Sequence, residues 1–326
     1  MIITQSKTIQ DLIRLAKRVA RSNAPVLLTG ESGTGKELFS RLIHDSSSRG
    51  ENKYVTLNCA SLPKNLVESE LFGHERGSFT DAVSKRVGRF EAAEHGTLLL
   101  DEISEIPVSL QAKLLRVLES GTYERVGSSE TLLHDVRIIA ASNRDLRSEV
   151  KDGAFRLDLY HRINIIELKI PPLRDRREDI PLLAMHFVDK FRSETEQKIR
   201  GLDNEAMQVL ADYHWPGNIR ELRNVIHRAC ILADSEMLTS DAMRLEADEL
   251  SREDVSDNDV LGSVPEEWLT MELADIEREV ILASIDKFGN QRVVAQKLGV
   301  SPRTLTNKIR QYREIGFVPL LSKDAA

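Results

Sequence analysis

Val26-Leu27-Leu28-Thr29-Gly30-Glu31-Ser32-Gly33-Thr34-Gly35-Lys36-Glu37 decides how the rest of this 326-residue chain is read. An apolar run stops at a glycine, a glycine-rich turn leads to a lysine, and Leu38, Leu42 and Ile43 follow at helical spacing. The pattern is G-x-x-x-x-G-K, a phosphate-binding loop between a strand and a helix. Glycines let backbone N–H groups approach phosphate oxygens. The following helix presents its positive end, and Lys36 adds a full charge. Glu37 stands where Ser or Thr usually contacts Mg²⁺. The loop residues Gly30, Glu31, Ser32, Gly33, Thr34, Gly35, Lys36 and Glu37 are therefore candidates for holding the phosphates of a nucleotide.

Four further apolar runs fit strands: 54–57, 97–100, 136–141 and 163–168. Polar residues close most of these strands: Asn58, Asp101-Glu102 and Ser142-Asn143. Helical periodicity lies between them, as at 7–21 and 110–118. Short apolar strands alternating with helices predict an α/β fold with a parallel sheet covered on both faces. Ligands of such sheets bind at the carboxyl ends of the strands. After Pro171-Pro172-Leu173 the pattern is helical only, with helices expected at 180–191, 204–213 and 218–232. The expected division is an α/β nucleotide-binding subdomain at 1–172 and a small helical subdomain at 173–245. An acidic linker at 246–267 and an all-α helix-turn-helix domain at 268–326 follow.

Bulk composition narrows the function classes. The net charge of -7 shows no whole-chain signature for nucleic acid, so any basic surface is local. Segment 246–267 holds Glu246, Asp248, Glu249, Glu253, Asp254, Asp257, Asp259, Glu266 and Glu267 against the lone base Arg252, which suits a solvated tether. Segment 289–313 reverses the balance, with Arg292, Lys297, Arg303, Lys308, Arg310 and Arg313 and no acid. There Gly299 suits a turn between helices, Ser301 an N-cap and Pro302 a first helical position. Arg303, Thr304, Asn307, Lys308 and Arg310 then fall on the second helix, where base edges are read, so DNA is the expected partner. Two cysteines, Cys59 and Cys230, fit a reducing cytoplasm. No apolar run approaches the ~18–20 residues of a membrane span.

The carboxylates Asp101 and Glu102 complete the nucleotide site in this reading. One suits Mg²⁺ through its water shell, and the other orients or deprotonates a water. Asn58 and Asn143 either bond the γ-phosphate, the water or Glu102, or merely cap turns. Arg156 and Arg162 either meet charge developing in phosphoryl transfer or make surface salt bridges. Arg220, in the first turn after Pro216-Gly217-Asn218, is unfavourable to the helix dipole and invites an anion. Asn218 is the expected N-cap of that helix.

As a set these motifs resemble the sigma-54-dependent transcriptional activators, a branch of the AAA+ ATPases. The resemblance rests on the 30–37 loop, Asn58-Cys59-Ala60, Glu70-Leu71-Phe72-Gly73-His74-Glu75, Gly96–Ile103, Phe155–Tyr160 and Trp215–Leu222. It covers about residues 5–245, and 268–317 resembles a Fis-type DNA-binding domain. Glu37 is the usual residue in that family. The resemblance implies an ATP-hydrolysing activator that binds upstream DNA and remodels the sigma-54 RNA polymerase complex. It assigns Asp101 and Glu102 to Mg²⁺ and water, Asn58 to a switch holding Glu102, and Asn143 to a nucleotide sensor. It assigns Arg156 and Arg162 to trans-acting arginines in a hexamer, Arg220 to a second sensor, and Phe79 and Thr80 to the sigma-factor contact. Here the contact loop reads Gly77-Ser78-Phe79-Thr80-Asp81-Ala82 against a usual Gly-Ala-Phe-Thr-Gly-Ala. Asp81 adds charge and removes a residue tolerant of positive φ. The alternative is therefore a DNA-binding regulator whose ATPase only sets oligomeric state. The match begins almost at Met1, so the expected control comes from another protein, protein level or DNA occupancy.

Overall fold

The computed structural model describes residues 2–63, 65–78, 84–192, 199–243, 271–288 and 290–314. The chain forms two compact units, Met1–Leu245 and Glu246–Ala326.

The first unit opens with helix α1 (Lys7–Val19), strand β1 (Val26–Thr29) and helix α2 (Lys36–Asp45). Strand β2 (Tyr54–Asn58), short helices α3 (Val67–Phe72) and α4 (Arg89–Ala92), and strand β3 (Thr97–Asp101) come next. Helix α5 (Val108–Ser120) runs into an antiparallel hairpin of β4 (Thr122–Glu124) and β5 (Thr131–Leu133). Strand β6 (Arg137–Ser142), helices α6 (Leu146–Lys151) and α7 (Leu157–Ile163), and strand β7 (Ile166–Lys169) complete the sheet layer.

The main sheet is parallel, in the order β2-β3-β6-β1-β7. Its inner strands β3, β6 and β1 are largely apolar because both faces are covered, while the edge strand β7 alternates, with Glu167 and Lys169 exposed. Leu27, Leu98, Leu100, Ile138 and Ala140 pack on one face with Phe72, Phe90, Leu114 and Leu159. The alternate residues Val26, Leu28, Leu99, Ile139 and Ala141 pack on the other with Ile9, Ala16, Phe39 and Ile43 of α1 and α2. Arg137 is buried at the strand start, where its guanidinium donates to the carbonyls of Val19 and Ala20. It thereby caps the end of α1, adding to the Ser22 N–H that the Val19 carbonyl also accepts. Burial pulls its pKa down to about 10, so it stays charged at neutral pH.

The expected fifth strand is corrected. Residues Leu157–Ile163 are helical, and only Ile166–Lys169 pair with the sheet. Leu159, Tyr160 and Ile163 recur at helical spacing and bury one helix face, so the apolar run spans a helix end as well as a strand.

Beyond β7 lie helix α8 (Asp179–Phe191), strand β8 (Gly201–Leu202) and helix α9 (Asn204–Asp212). Helix α10 (Asn218–Leu232), strand β9 (Met237–Leu238) and helix α11 (Ser240–Met243) follow. Their core gathers Leu183, Phe187, Phe191, Leu210, Trp215, Leu222 and Ile226. The expectation of helices alone is corrected by the two-residue parallel pair of β8 and β9. The N-terminal segment is fastened to this layer. Thr4 Oγ1 and the N–H groups of Gln5 and Ser6 all donate to the fully buried Asp179 carboxylate, at 2.7–3.0 Å.

The second unit holds helices α12 (Leu273–Phe288), α13 (Gln291–Lys297) and α14 (Pro302–Glu314). They enclose Ile281, Ile285, Val294, Ala295, Leu305 and Ile309. Gly299 turns the chain at φ +65, and the Thr304 N–H donates to Ser301 Oγ as the cap of α14. The expected linker at 246–267 and the start at Trp268 lie outside the described residues. Among the described residues, no helix is long and apolar enough to cross a membrane.

Candidate nucleotide and DNA sites

The parallel register assembles the first site at the carboxyl ends of four strands. It sets Thr29 beside Ser142 and Asn58 beside Asp101. The phosphate loop leaves β1 through three glycines at positive φ: Gly30, Gly33 and Gly35. A Cβ on Gly30 would stand 2.6 Å from the Ile170 carbonyl oxygen, and one on Gly33 would stand 2.3 Å from that of Gly217. The backbone runs where a side chain has no room, which forms the cradle a phosphate needs. The N–H groups of Lys36 and Glu37 precede the first bonds of α2, which Leu38 and Phe39 make to the Gly35 carbonyl.

Lys36 is buried, and its ammonium donates to the carbonyls of Gly30 (2.8 Å) and Glu31 (3.2 Å). It stands 4.0 Å from Glu102 Oε1. Burial lowers its pKa, and the carboxylates of Glu102 and Asp101 oppose that shift. Glu102 follows β3 at φ +52, a strained backbone for a residue with a side chain. The bend turns its carboxylate back toward Lys36, and Oε2 accepts the Asn143 N–H at 3.2 Å. Asp101 Oδ1 accepts the N–H of Glu102 at 3.1 Å.

The expectation that Asn58 holds Glu102 is corrected. Asn58 Nδ2 is 3.4 Å from Asp101 Oδ2, while its Oδ1 accepts the N–H groups of Ala60 and Ser61. The sheet register pairs Asn58 with Asp101, one residue short of Glu102, and this sets the contact. The neighbouring Cys59 thiol is buried, with its pKa pushed up to about 12 by burial and then by Asp101 and Glu102, so it is inert.

Arg220 Nη1 donates to Ser32 Oγ at 2.7 Å, which sets it on the phosphate loop. Asn218 is not the N-cap. The helix begins after Gly217, whose N–H is bonded by Glu221 Oε2 at 2.8 Å. Asn218, buried at φ +54, accepts the Leu173 N–H and donates to Glu31 and the Ser32 carbonyl. Arg156 pairs with Asp158, and Arg162 donates to the Leu118 carbonyl. Both are exposed, and among the described residues neither contacts the phosphate loop. Glu37 is exposed on the first turn of α2.

Sequence reasoning missed a pocket beside the loop. Ile2, Ile3, Leu38, Phe39, Phe187 and Ile219 line it, with Thr34 and Gly35 at its edge. Its walls come from segments far apart in the chain, so no local pattern marks it. Arg176, Leu183 and His186 complete its lining, and the apolar majority beside the loop is chemically compatible with a planar base.

Among the described residues, no group of three or more His, Cys, Asp and Glu side chains could hold a metal ion. The carboxylates of Asp101 and Glu102 act on Lys36 of the loop. Such a sparse carboxylate set fits Mg²⁺, which keeps several waters and takes other ligands from substrate phosphates.

Phe79, Thr80 and Asp81 lie outside the described residues. The base of their segment is knotted: His74 and Arg86 exchange backbone hydrogen bonds, and Arg125 joins Glu75 and Glu91. Among the described residues Ser78 Oγ, buried against Gly127, has no hydrogen-bond partner, so there the hydroxyl gains nothing over an alanine methyl.

In the second unit Arg303, Asn307 and Arg310 are exposed on one face of α14, opposite buried Leu305 and Ile309. Thr306 shares that face and went unremarked in the sequence. Thr304 is occupied at the cap, with its Oγ1 2.7 Å from Ser301 Oγ. Lys308 departs from expectation. Its ammonium pairs with Glu277 of α12 at 2.6 Å, because position 308 flanks the buried stripe.

Family models match almost end to end. One described as the sigma-54 interaction domain matches residues 2–169, and an AAA+ ATPase lid domain matches 174–259. A bacterial regulatory protein model of the Fis family matches 272–312. The chain is 46% identical over 314 residues to the regulatory protein AtoC of Escherichia coli K12, covering 95% of this chain and 67% of that protein. It is 44% identical over 313 residues to the transcriptional regulatory protein ZraR of the same strain, covering 94% and 68%. Its fold is similar to NtrX from Brucella abortus in complex with ATP, at TM-score 0.70 and 34% identity, over 95% of this chain and 68% of that one.

Proposed function

The chain belongs to the sigma-54-dependent transcriptional regulators of the AAA+ family, and from that premise we propose how its residues carry out ATP-driven promoter activation. The fold is a parallel-sheet ATPase with a helical lid, joined to a Fis-type DNA-binding domain, and the family activity is sigma-54 activation coupled to ATP hydrolysis. In our reading 1–172 is the ATPase subdomain, 173–245 the lid, 246–267 the linker and 268–326 the DNA-binding domain.

Gly30 to Glu37 cradle the phosphates, Arg220 reaches them from the lid, and the apolar pocket takes adenine. Asp101 would hold Mg²⁺ through water, and the ion would supply positive charge against the charge that develops on the phosphates. Glu102 accepts a proton from the attacking water. Asn143, whose N–H already bonds Glu102, reports on that carboxylate. Asn58 acts on the pair through Asp101. Arg156 and Arg162, exposed and away from their own chain's loop, suit the phosphoryl group of a neighbouring subunit in a hexamer. Phe79 and Thr80 carry the stroke to sigma-54, and Arg303, Thr304, Asn307 and Arg310 read upstream DNA, with Lys308 in a lesser role.

The observation that carries this reading is the convergence of Lys36, Glu102 and Asn143 from three elements on the space above the phosphate loop. The test is in vitro transcription from a sigma-54 promoter. ATP should support open complexes and Glu102→Gln should not. ATP hydrolysis without open complexes would favour an ATPase that sets oligomeric state alone, and recovery on Asp81→Gly would place the fault at that residue.

A further inference from the structure

Each residue from Glu31 to Thr34 carries a hydrogen bond from the segment 174–220. Arg174 binds the Glu31 carboxylate through two nitrogens, at 2.5 and 2.9 Å. Asn218 Nδ2 donates to Glu31 Oε2 (3.1 Å) and to the Ser32 carbonyl (3.0 Å). The Ile219 N–H donates to the Gly33 carbonyl at 3.1 Å. Buried Arg176 donates to the Thr34 carbonyl at 2.8 Å.

Three of these bonds fall on loop carbonyls. A trans peptide points its C=O and the following N–H in opposite directions. Holding the carbonyls of Ser32, Gly33 and Thr34 toward the lid therefore turns the N–H groups of Gly33, Thr34 and Gly35 away from it. Those of Gly33 and Gly35 are left for the phosphate cradle, while the Thr34 N–H also reaches the Glu31 carbonyl at 3.4 Å. Glycine has no side chain to fix its peptide planes, so the orientation must come from outside the loop.

We propose that the lid presets the phosphate loop, with Arg174, Arg176 and Asn218 as positioning residues and Glu31 as their anchor. Glu31 then serves as the attachment point of the lid, and Arg174 acts on phosphate affinity without touching phosphate. An exposed ion pair is usually worth little. This one is bidentate, joined by a buried amide, and set on a loop that must be preorganised, so its effect is read in binding. The inference rests on the phosphate-loop reading above and adds that lid position governs phosphate affinity.

The test is competition titration of the full chain against a fluorescent ADP, with ATP, ADP and adenosine as competitors. Arg174→Ala should weaken ATP and ADP about tenfold and leave adenosine unchanged, because only phosphate contacts depend on the preset loop. Arg174→Lys should recover part of the loss. Asn218→Gly keeps the positive φ and should reproduce the phosphate-selective loss. Equal weakening of adenosine and ADP, or unchanged ADP affinity in Arg174→Ala, would overturn the proposal. Lys36→Ala separates the two readings. If it retains wild-type ADP affinity, the phosphate-loop assignment fails; if it loses affinity while Arg174→Ala does not, only the lid proposal fails.

Discussion

The two units use their charged residues in opposite ways. At the phosphate loop nearly every functional group is tied to a partner far along the chain: Arg174 to Glu31, Arg220 to Ser32, Asn143 to Glu102. On α14 the basic residues that stand free do so by helix periodicity alone, with Leu305 and Ile309 turned inward. Phosphoryl transfer needs groups fixed against each other before substrate arrives, because a small misplacement costs rate. Reading DNA needs a stiff helix that presents side chains outward, and the duplex supplies the partners.

Breaking the first arrangement should therefore cost more than breaking the second. Glu102→Gln should lower ATP turnover about a thousandfold while ATP still binds, the range of a lost general base. Retained turnover would reassign the role. Lys36→Ala should weaken ATP binding about a hundredfold, as a buried charge that meets phosphate is lost. Titration with a fluorescent nucleotide measures it.

On the other side, Arg303→Ala should weaken specific DNA binding about tenfold, leaving ATP turnover intact. Lys308→Ala should cost less than Arg303→Ala, because that ammonium is engaged by Glu277. Gel-shift titrations of both variants rank them, and equal losses would put Lys308 on the DNA.

The smallest effect is acid dependence. Arg174, beside Glu31, holds its carboxyl below the ordinary value of 4.5, with burial opposing and Asn218 assisting. A depressed carboxylate contributes in full above its ordinary pKa, and the contribution fades as pH falls through the lower folded value. Thermal melts should therefore show wild type and Arg174→Ala differing near neutral pH and converging in acid.

Much of this was legible in the sequence for physical reasons. A strand buried on both faces must be apolar throughout, and a phosphate cradle must be glycine-rich, so β1, β3 and the loop stood out. The same apolar criterion misled at Ile163, where a helix end and a strand start share one run. Asn218 misled differently. After Pro216-Gly217 its composition suits a cap, but its bonds go to Leu173, Glu31 and Ser32, set by tertiary contact. The base pocket, the Glu31 anchor and the Asn58–Asp101 contact depend on packing or strand register, which local pattern does not encode.

Asp179 has a mechanical consequence. Its buried carboxylate grips Thr4, Gln5 and Ser6, and the residues just ahead, Ile2 and Ile3, form a wall of the pocket assigned to the base. The amino-terminal segment is thus a short handle attached to that wall. Any load applied ahead of Ile2, whether from a fused tag, an immobilising surface or an optical trap, reaches the pocket before it reaches the sheet. Nucleotide affinity would then serve as a gauge of tension on that handle.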